Sequence, residues 1–263
     1  MSPPRRPTVF ITGASRGLGR ELAREYARRG ANLGLVARAA DALDELADEL
    51  VQQHGVRCLA RVADVRDPAS MWSVARHFMD EFGVPDRVIA NAGVSTGTLT
   101  ECAEDYAAFQ QVLAINVLGM VATFAPFVPR MKANGQGTLV GVASVAGVRG
   151  LPGAGAYSAS KAAAIRYLES LRVELRPARL RVVTLCPGYI DTDMTKGNPY
   201  PMPFLLRADD AARRLARAIE RGRSYAVIPW RMALTARVLA LRPNAVCDRL
   251  FVHAGRKPRG RPL

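Results

Sequence analysis

Along the chain, short runs rich in Val, Ile, Leu and Thr alternate with longer stretches in which apolar residues recur every three or four positions. TVFITGA precedes ELAREYARRG, ANLGLVAR precedes ADALDELADELVQQHG, VRCLARVADV precedes SMWSVARHFMDEFG, and DRVIANAG follows. Short β-rich runs read as strands and 3.6-residue periods as helices, so the pattern predicts βαβ units around a central parallel sheet. The second half adds GTLVGVAS, a helix beginning near Tyr157, RVVTLCPG, a helix from about Ala208, and SYAVIPW as the last strand. The expected fold is α/β, doubly wound, with about seven strands and helices on both faces. No repeat or linker divides the chain, so one domain spans 1–263: a core of about 8–229, a helical extension of about 230–252 and a disordered basic end at 254–263.

Composition narrows the reading. With 263 residues, 49% of them hydrophobic, the chain can bury a substantial core. Cys58, Cys102, Cys186 and Cys247 form no C-x-x-C pair, so neither a metal site nor a disulfide framework is expected, and a reducing cytoplasm fits. Neither an export signal nor a membrane span is expected. The net charge of +14 is concentrated at one end, since residues 207–263 hold 14 of the 37 basic residues and 4 of the 23 acidic ones. A near-neutral body with a basic tail argues against nucleic acid as the partner.

The first strand runs into Gly13-Ala14-Ser15-Arg16-Gly17-Leu18-Gly19 and then a helical pattern. Glycines there permit a tight bend, and the helix N-terminus offers free N–H groups to a pyrophosphate, as in Rossmann-type dinucleotide sites. The spacing G-x-x-x-G-x-G departs from the general G-x-G-x-x-G. At the end of strand two, where NAD sites place an acid for the ribose hydroxyls, this chain has Ala37 and Arg38. Arg38 and Arg16 suit the 2′-phosphate, so NADP(H) is expected in preference to NAD(H). Asp64 and Val65, after strand three, are candidates for adenine contacts.

Tyr157 and Lys161 stand at i and i+4, the spacing that stacks two side chains on one helix face. A phenol has an ordinary pKa of about 10, and a nearby cation favours its ionised form. Ser144, at the end of GTLVGVAS, can present its hydroxyl to the same cleft. Asn91-Ala92-Gly93 closes another strand, and Asn116 sits in the apolar helix FQQVLAINVLGM, where an amide needs a buried partner.

TGASRGLG, NAG, Asn116, Ser144, YSASK and PGYIDT occur in an order that resembles the short-chain dehydrogenase/reductase (SDR) family, single-domain soluble branch, over about 8–229. The resemblance implies an NADP(H)-dependent oxidoreductase interconverting a carbonyl and an alcohol. It further implies that Tyr157 is the general acid or base, that Lys161 binds the nicotinamide ribose and lowers the tyrosine pKa, and that Ser144 orients the carbonyl. Asn116 would hold a backbone-bound water, Asn91 to Gly93 would line the cofactor, and Pro187, Gly188, Ile190 and Thr192 would contact its nicotinamide side. A homodimer or homotetramer is implied, to which the helix from Tyr157 adds Ala162, Ala163, Ile165 and Leu168.

The proline-rich stretch 197–203 follows a strand end and reads as a substrate loop. Met194, Met202, Phe204, Leu205 and Leu206 in and around it suggest a hydrophobic ketone or aldehyde. Trp230, Leu234, Val238 and Leu241 can share one helical face, which would cap the pocket, meet another subunit or touch a membrane peripherally. The alternative for the whole chain is an NADP-sensing regulatory protein that uses this basic tail. His54, His77 and His253 fall outside the motifs and read as surface residues.

Overall fold

A computed structural model gives the fold, and residues 5–260 are described. Strands and helices alternate: β1 (Thr8–Thr12), α1 (Gly17–Arg28), β2 (Asn32–Ala37), α2 (Ala40–His54), β3 (Cys58–Val62), α3 (Pro68–Phe82) and β4 (Arg87–Ala90). Next, α4 (Asp105–Leu113) runs through a π turn (Ala114–Leu118) into α5 (Gly119–Phe124), followed by α6 (Val128–Asn134), β5 (Thr138–Val142), α7 (Gly155–Glu174) and β6 (Arg181–Pro187). The order ends with β7 (Ile190–Asp191), β8 (Leu206–Arg207), α8 (Ala208–Glu220), β9 (Tyr225–Ile228), α9 (Trp230–Leu241) and α10 (Asn244–Phe251).

Among the described residues, seven strands form one parallel sheet in the order β3-β2-β1-β4-β5-β6-β9. The chain winds outward from β1 in one direction and from β4 in the other. This leaves a crevice beyond the strand ends where the order reverses, the place where open α/β sheets bind ligands. Strands covered on both faces need continuous apolar sequence, and β1 is buried at every position. On one face Phe78 meets Phe10 and Phe127 edge-on at 5.4 and 6.0 Å; on the other Leu22, Tyr26, Leu43 and Leu46 are buried. Each such side chain contributes roughly 1.5–3 kcal/mol.

Three features differ from the sequence reading. First, the helical stretch Asp105–Asn134 is long and apolar enough, by composition, to cross a membrane, which the sequence reading did not recognise. Its apolar side is used by the core instead, with Val112, Ile115, Met120, Phe124 and Phe127 buried against the sheet.

Second, the expected apolar face of α9 points away from the body. Met232 and Ala236 are buried, whereas Trp230, Leu234, Val238 and Leu241 are exposed. Met232 packs on the Gly188 turn so closely that a Cβ on Gly188 would lie 2.9 Å from it. The C-terminal end of α9 is tied down by Arg149, whose guanidinium donates to Leu239 O at 2.9 Å, to Asn244 Oδ1 at 3.0 Å and to Arg242 O. A cation on the last helical carbonyls also complements the helix dipole.

Third, the basic end makes contacts with the body at Pro258 and Arg259. Gly97 N–H donates to Pro258 O at 2.9 Å, and Arg259 pairs with Asp105 and Glu104, both at 2.7 Å. Main-chain bonds and ion pairs hold this segment where apolar burial could not. The rest of the expected disordered end, 261–263, lies outside the described residues.

Candidate active site

The turn from β1 into α1 exposes the helix N-terminus. Arg16 caps α1 with no side-chain hydrogen bond, and no acidic residue stands in the first turn, so nothing there competes with an anion. The turn is compact because Gly19 lies directly on Gly13: a Cβ at Gly19 would come within 2.1 Å of Gly13 O. Asn91 Nδ2 fastens the end of β4 to the same turn, donating to Thr12 O at 3.0 Å and Gly13 O at 3.1 Å. Thr192, from the loop after β6, closes over Gly17.

A cleft of about 500 Å³ starts here and runs across the strand ends. Gly13, Ser15, Arg16, Gly17, Leu18, Gly19, Arg38, Asp64, Val65, Asn91, Ala92, Gly93, Pro187, Gly188, Ile190 and Thr192 all line it, and so do Ser144, Tyr157 and Lys161. Arg16 and Arg38 are exposed at its rim. Both carboxylate oxygens of Asp64 accept from Arg66, which holds the acid below its ordinary pKa.

Asn116 lies behind the cleft wall, fully buried. The π turn directs its amide at the end of β4, where Oδ1 accepts from Val94 N–H at 2.8 Å and Nδ2 donates to Val94 O at 3.0 Å and Ser160 Oγ at 2.9 Å. This is the buried partner that an amide in an apolar helix required. A side chain at Gly93 would meet both Asn116 Oδ1 (3.3 Å) and Lys161 Nζ (3.4 Å), so the two polar heads converge on one point.

α7 presents Tyr157 and Lys161 on one face. Lys161 Nζ donates to Val142 O at 2.8 Å and stands 5.7 Å from the centre of the Tyr157 ring. Burial pushes the Lys161 ammonium down from its ordinary 10.5 to about 8. Burial pushes the Tyr157 phenol up, and a hydrogen bond with Ser144 opposes that shift. Ser144 itself is buried at the start of a short 3₁₀ turn, its Oγ accepting from Ala146 N–H at 3.2 Å. A protonated phenol, a hydroxyl and an ammonium are thus gathered at one end of a cleft whose other end suits phosphate.

A family model described as short chain dehydrogenase matches residues 7–200. The chain belongs to the short-chain dehydrogenase family. An uncharacterized oxidoreductase of Myxococcus xanthus is 39% identical over 241 residues, 92% of this chain and 94% of that protein. An SDR short chain dehydrogenase/reductase from Burkholderia phymatum, solved in complex with NAD, superposes with a TM-score of 0.81 at 26% identity, covering 100% of this chain and 99% of that one. An alcohol dehydrogenase from Thermococcus sibiricus, complexed with 5-hydroxy-NADP, gives a TM-score of 0.75 at 30% identity, covering 85% of this chain and 96% of that one.

This short-chain dehydrogenase is accordingly an oxidoreductase, and the residues of its cleft fit a nicotinamide nucleotide. The uncapped start of α1 and the Gly13–Gly19 approach accommodate a pyrophosphate, and the Gly93, Asn116 and Lys161 cluster lies where the nicotinamide ribose would follow. The substrate end was read less well. Of the five apolar residues offered for it, only Met194 lines the cleft, and Phe204 and Leu205 are exposed. The β7–β8 pair pinches the loop at its base, with Ile190 opposite Leu206, and turns that apolar run outward. Ser95, Tyr189, Asn198, Tyr200 and Lys257 line the cleft, together with apolar Val145, Ala146, Leu151 and Ala154. A compositional signal for Lys257 existed: the chain has 33 arginines and four lysines, and the two buried lysines, Lys161 and Lys257, both flank Tyr157.

Proposed function

We propose that this protein is an NADP(H)-dependent reductase interconverting a carbonyl and an alcohol, with Tyr157 as the acid or base. The convergence of Tyr157, Ser144 and Lys161 at the end of the nucleotide cleft carries the reading. Bound NADP(H) supplies or accepts the hydride. Ser144 and Tyr157 both donate to the substrate oxygen, and Tyr157 passes its proton to that oxygen as negative charge develops. The raised Tyr157 pKa keeps the phenol protonated at neutral pH, the form that donates its proton in reduction. Arg16 and Arg38, with no acid at the end of β2, support NADP over NAD. Free Cys58, Cys102, Cys186 and Cys247 support a cytoplasmic location.

Tyr157→Phe tests the chemistry, because it deletes the proton donor and almost no volume. NADPH-linked reduction across a panel of carbonyl compounds should fall by three orders of magnitude or more, on the order of 4 kcal/mol or above, while NADPH binding by fluorescence titration stays within about twofold. Substantial residual turnover in the variant would rule Tyr157 out as the acid.

A further inference from the structure

The buried residues of α9, Met232 and Ala236, face the body, and the opposite side of the helix is apolar as well. At 3.6 residues per turn, Trp230, Leu234, Val238 and Leu241 fall within a stripe about 80° wide, centred opposite that buried pair. All four are exposed, Leu241 by 86%. Arg231 and Arg237 border the stripe on its two sides, and Arg242 follows its last residue. These arginines are exposed, and none belongs to an ion pair among the described residues.

The apolar surface extends beyond the helix. The Arg231 guanidinium lies 5.8 Å from the centre of the Trp230 ring and 5.6 Å from that of Phe204, which joins α9 to the apolar run that the β7–β8 pair turns outward. Phe204 and Leu205 are exposed there, and Phe204 is held at φ +58°, a left-handed conformation that a bulky residue rarely takes. Two elements thus build one exposed apolar surface, which marks an interaction site in a way that scattered apolar residues do not.

Charge decides what covers it. Residues 230–252 carry Arg231, Arg237, Arg242 and Arg249 against a single acid, Asp248. A second copy of the chain docked here by two-fold symmetry would set the arginines of one copy against those of the other, with few acids to meet them. A phospholipid surface answers both features. Acyl chains take the apolar stripe, tryptophan is favoured at headgroup level, and phosphates accept paired hydrogen bonds from guanidinium groups whose stems lie along apolar surface.

We propose that α9, with Phe204 and Leu205, docks the protein on a membrane leaflet that carries anionic phospholipid. Docking is peripheral, since the 12 residues of α9 reach only about 18 Å and Met232 and Ala236 stay on the body. The stripe enters the boundary between headgroups and acyl chains, and the arginines remain at the phosphates.

Flotation of the full-length protein with vesicles of phosphatidylcholine alone, or with about 30% phosphatidylglycerol, tests this. Binding should be about tenfold stronger or more on the anionic vesicles and should fall as salt is raised. In a Trp72→Phe background, which leaves Trp230 as the sole tryptophan, emission should move to shorter wavelength on binding. Leu234→Glu with Leu241→Glu, on an exposed face, should melt like the parent and lose about tenfold or more in vesicle binding. Arg231→Gln with Arg237→Gln should lose most of the preference for anionic vesicles. No binding to either vesicle, equal binding to both, or full binding by the glutamate pair overturns the proposal. Should the glutamate pair lower the melting point, the arginine pair decides, and an unchanged anionic preference there overturns it. A smaller mass of the glutamate pair by light scattering, with no vesicle binding by the parent, assigns the stripe to a subunit contact and overturns it equally.

Discussion

Replacing Asn116 with leucine, a side chain of similar size, should be among the most damaging single changes in the cleft. The amide acts as a surrogate strand edge for Val94, accepting from its N–H at 2.8 Å and donating to its C=O at 3.0 Å, at a site with no exposure. Leucine would leave both main-chain groups buried and unpaired, and would remove one partner of Ser160 Oγ, which keeps its bond to Tyr157 O. Each orphaned group costs about 1–3 kcal/mol, so the two together cost roughly 2–6 kcal/mol of a total that is typically about 5–15. For a chain of this size each 1 kcal/mol moves the melting point by about 2–4 °C, so a drop of roughly 10 °C is expected. Urea unfolding followed by circular dichroism measures the loss, and NADPH titration below the transition should show weakened binding, because Gly93 and Val94 line the cleft. An Asn116→Leu protein that unfolds within about 1 kcal/mol of the parent, with unchanged denaturant slope, would refute the bracing role.

Arg38→Asp should invert the cofactor preference by removing one guanidinium partner of the 2′-phosphate and supplying an acceptor for a ribose hydroxyl; equal affinity of the unmodified protein for NADPH and NADH by titration would defeat the assignment. Lys161 is held near 8 in the folded chain against an ordinary 10.5, so the fold carries the full penalty for its charge below about pH 8 and sheds it as pH rises toward 10.5. The stability difference between the parent and Lys161→Met should therefore move in the parent's favour over that window, by roughly 3 kcal/mol at most, and a difference flat in pH would contradict the buried-ammonium account. Light scattering at micromolar concentration should give the mass of a homodimer or homotetramer, for which exposed Leu118, Val121 and Val173 offer apolar surface; a monomeric mass would exclude it.

The cofactor half of the cleft was legible in sequence because its residues sit in contiguous motifs at strand ends. Once the strands are parallel and adjacent, Gly13, Asn91 and Ser144 have little choice of position. The substrate half was not legible for identifiable reasons. β7 and β8 are two residues long, too short to show a period, yet they decide that Phe204 and Leu205 face outward. Periodicity found an apolar stripe on α9 but could not say which face meets the body, and Met232 and Ala236, outside that stripe, are the residues buried there. The tail was judged by its lack of apolar side chains, whereas its contacts with the body are an Arg259 ion pair and a main-chain bond from Gly97. Lys257 lies a hundred positions beyond Tyr157, and no local pattern links them.

The C-terminal strap also gives the site a schedule. During synthesis the chain emerges in order, at about 5–20 residues per second, and the sheet from β1 to β9 precedes 255–259. A nascent chain released up to α9 already holds every residue of the phosphate turn and the Tyr157–Lys161 helix face. Lys257 joins the cleft wall only with residues 255–259, when Arg259 reaches back to the start of α4. A chain lacking residues 255–259 would therefore keep the phosphate turn and the Tyr157–Lys161 face while losing Lys257 from the cleft wall.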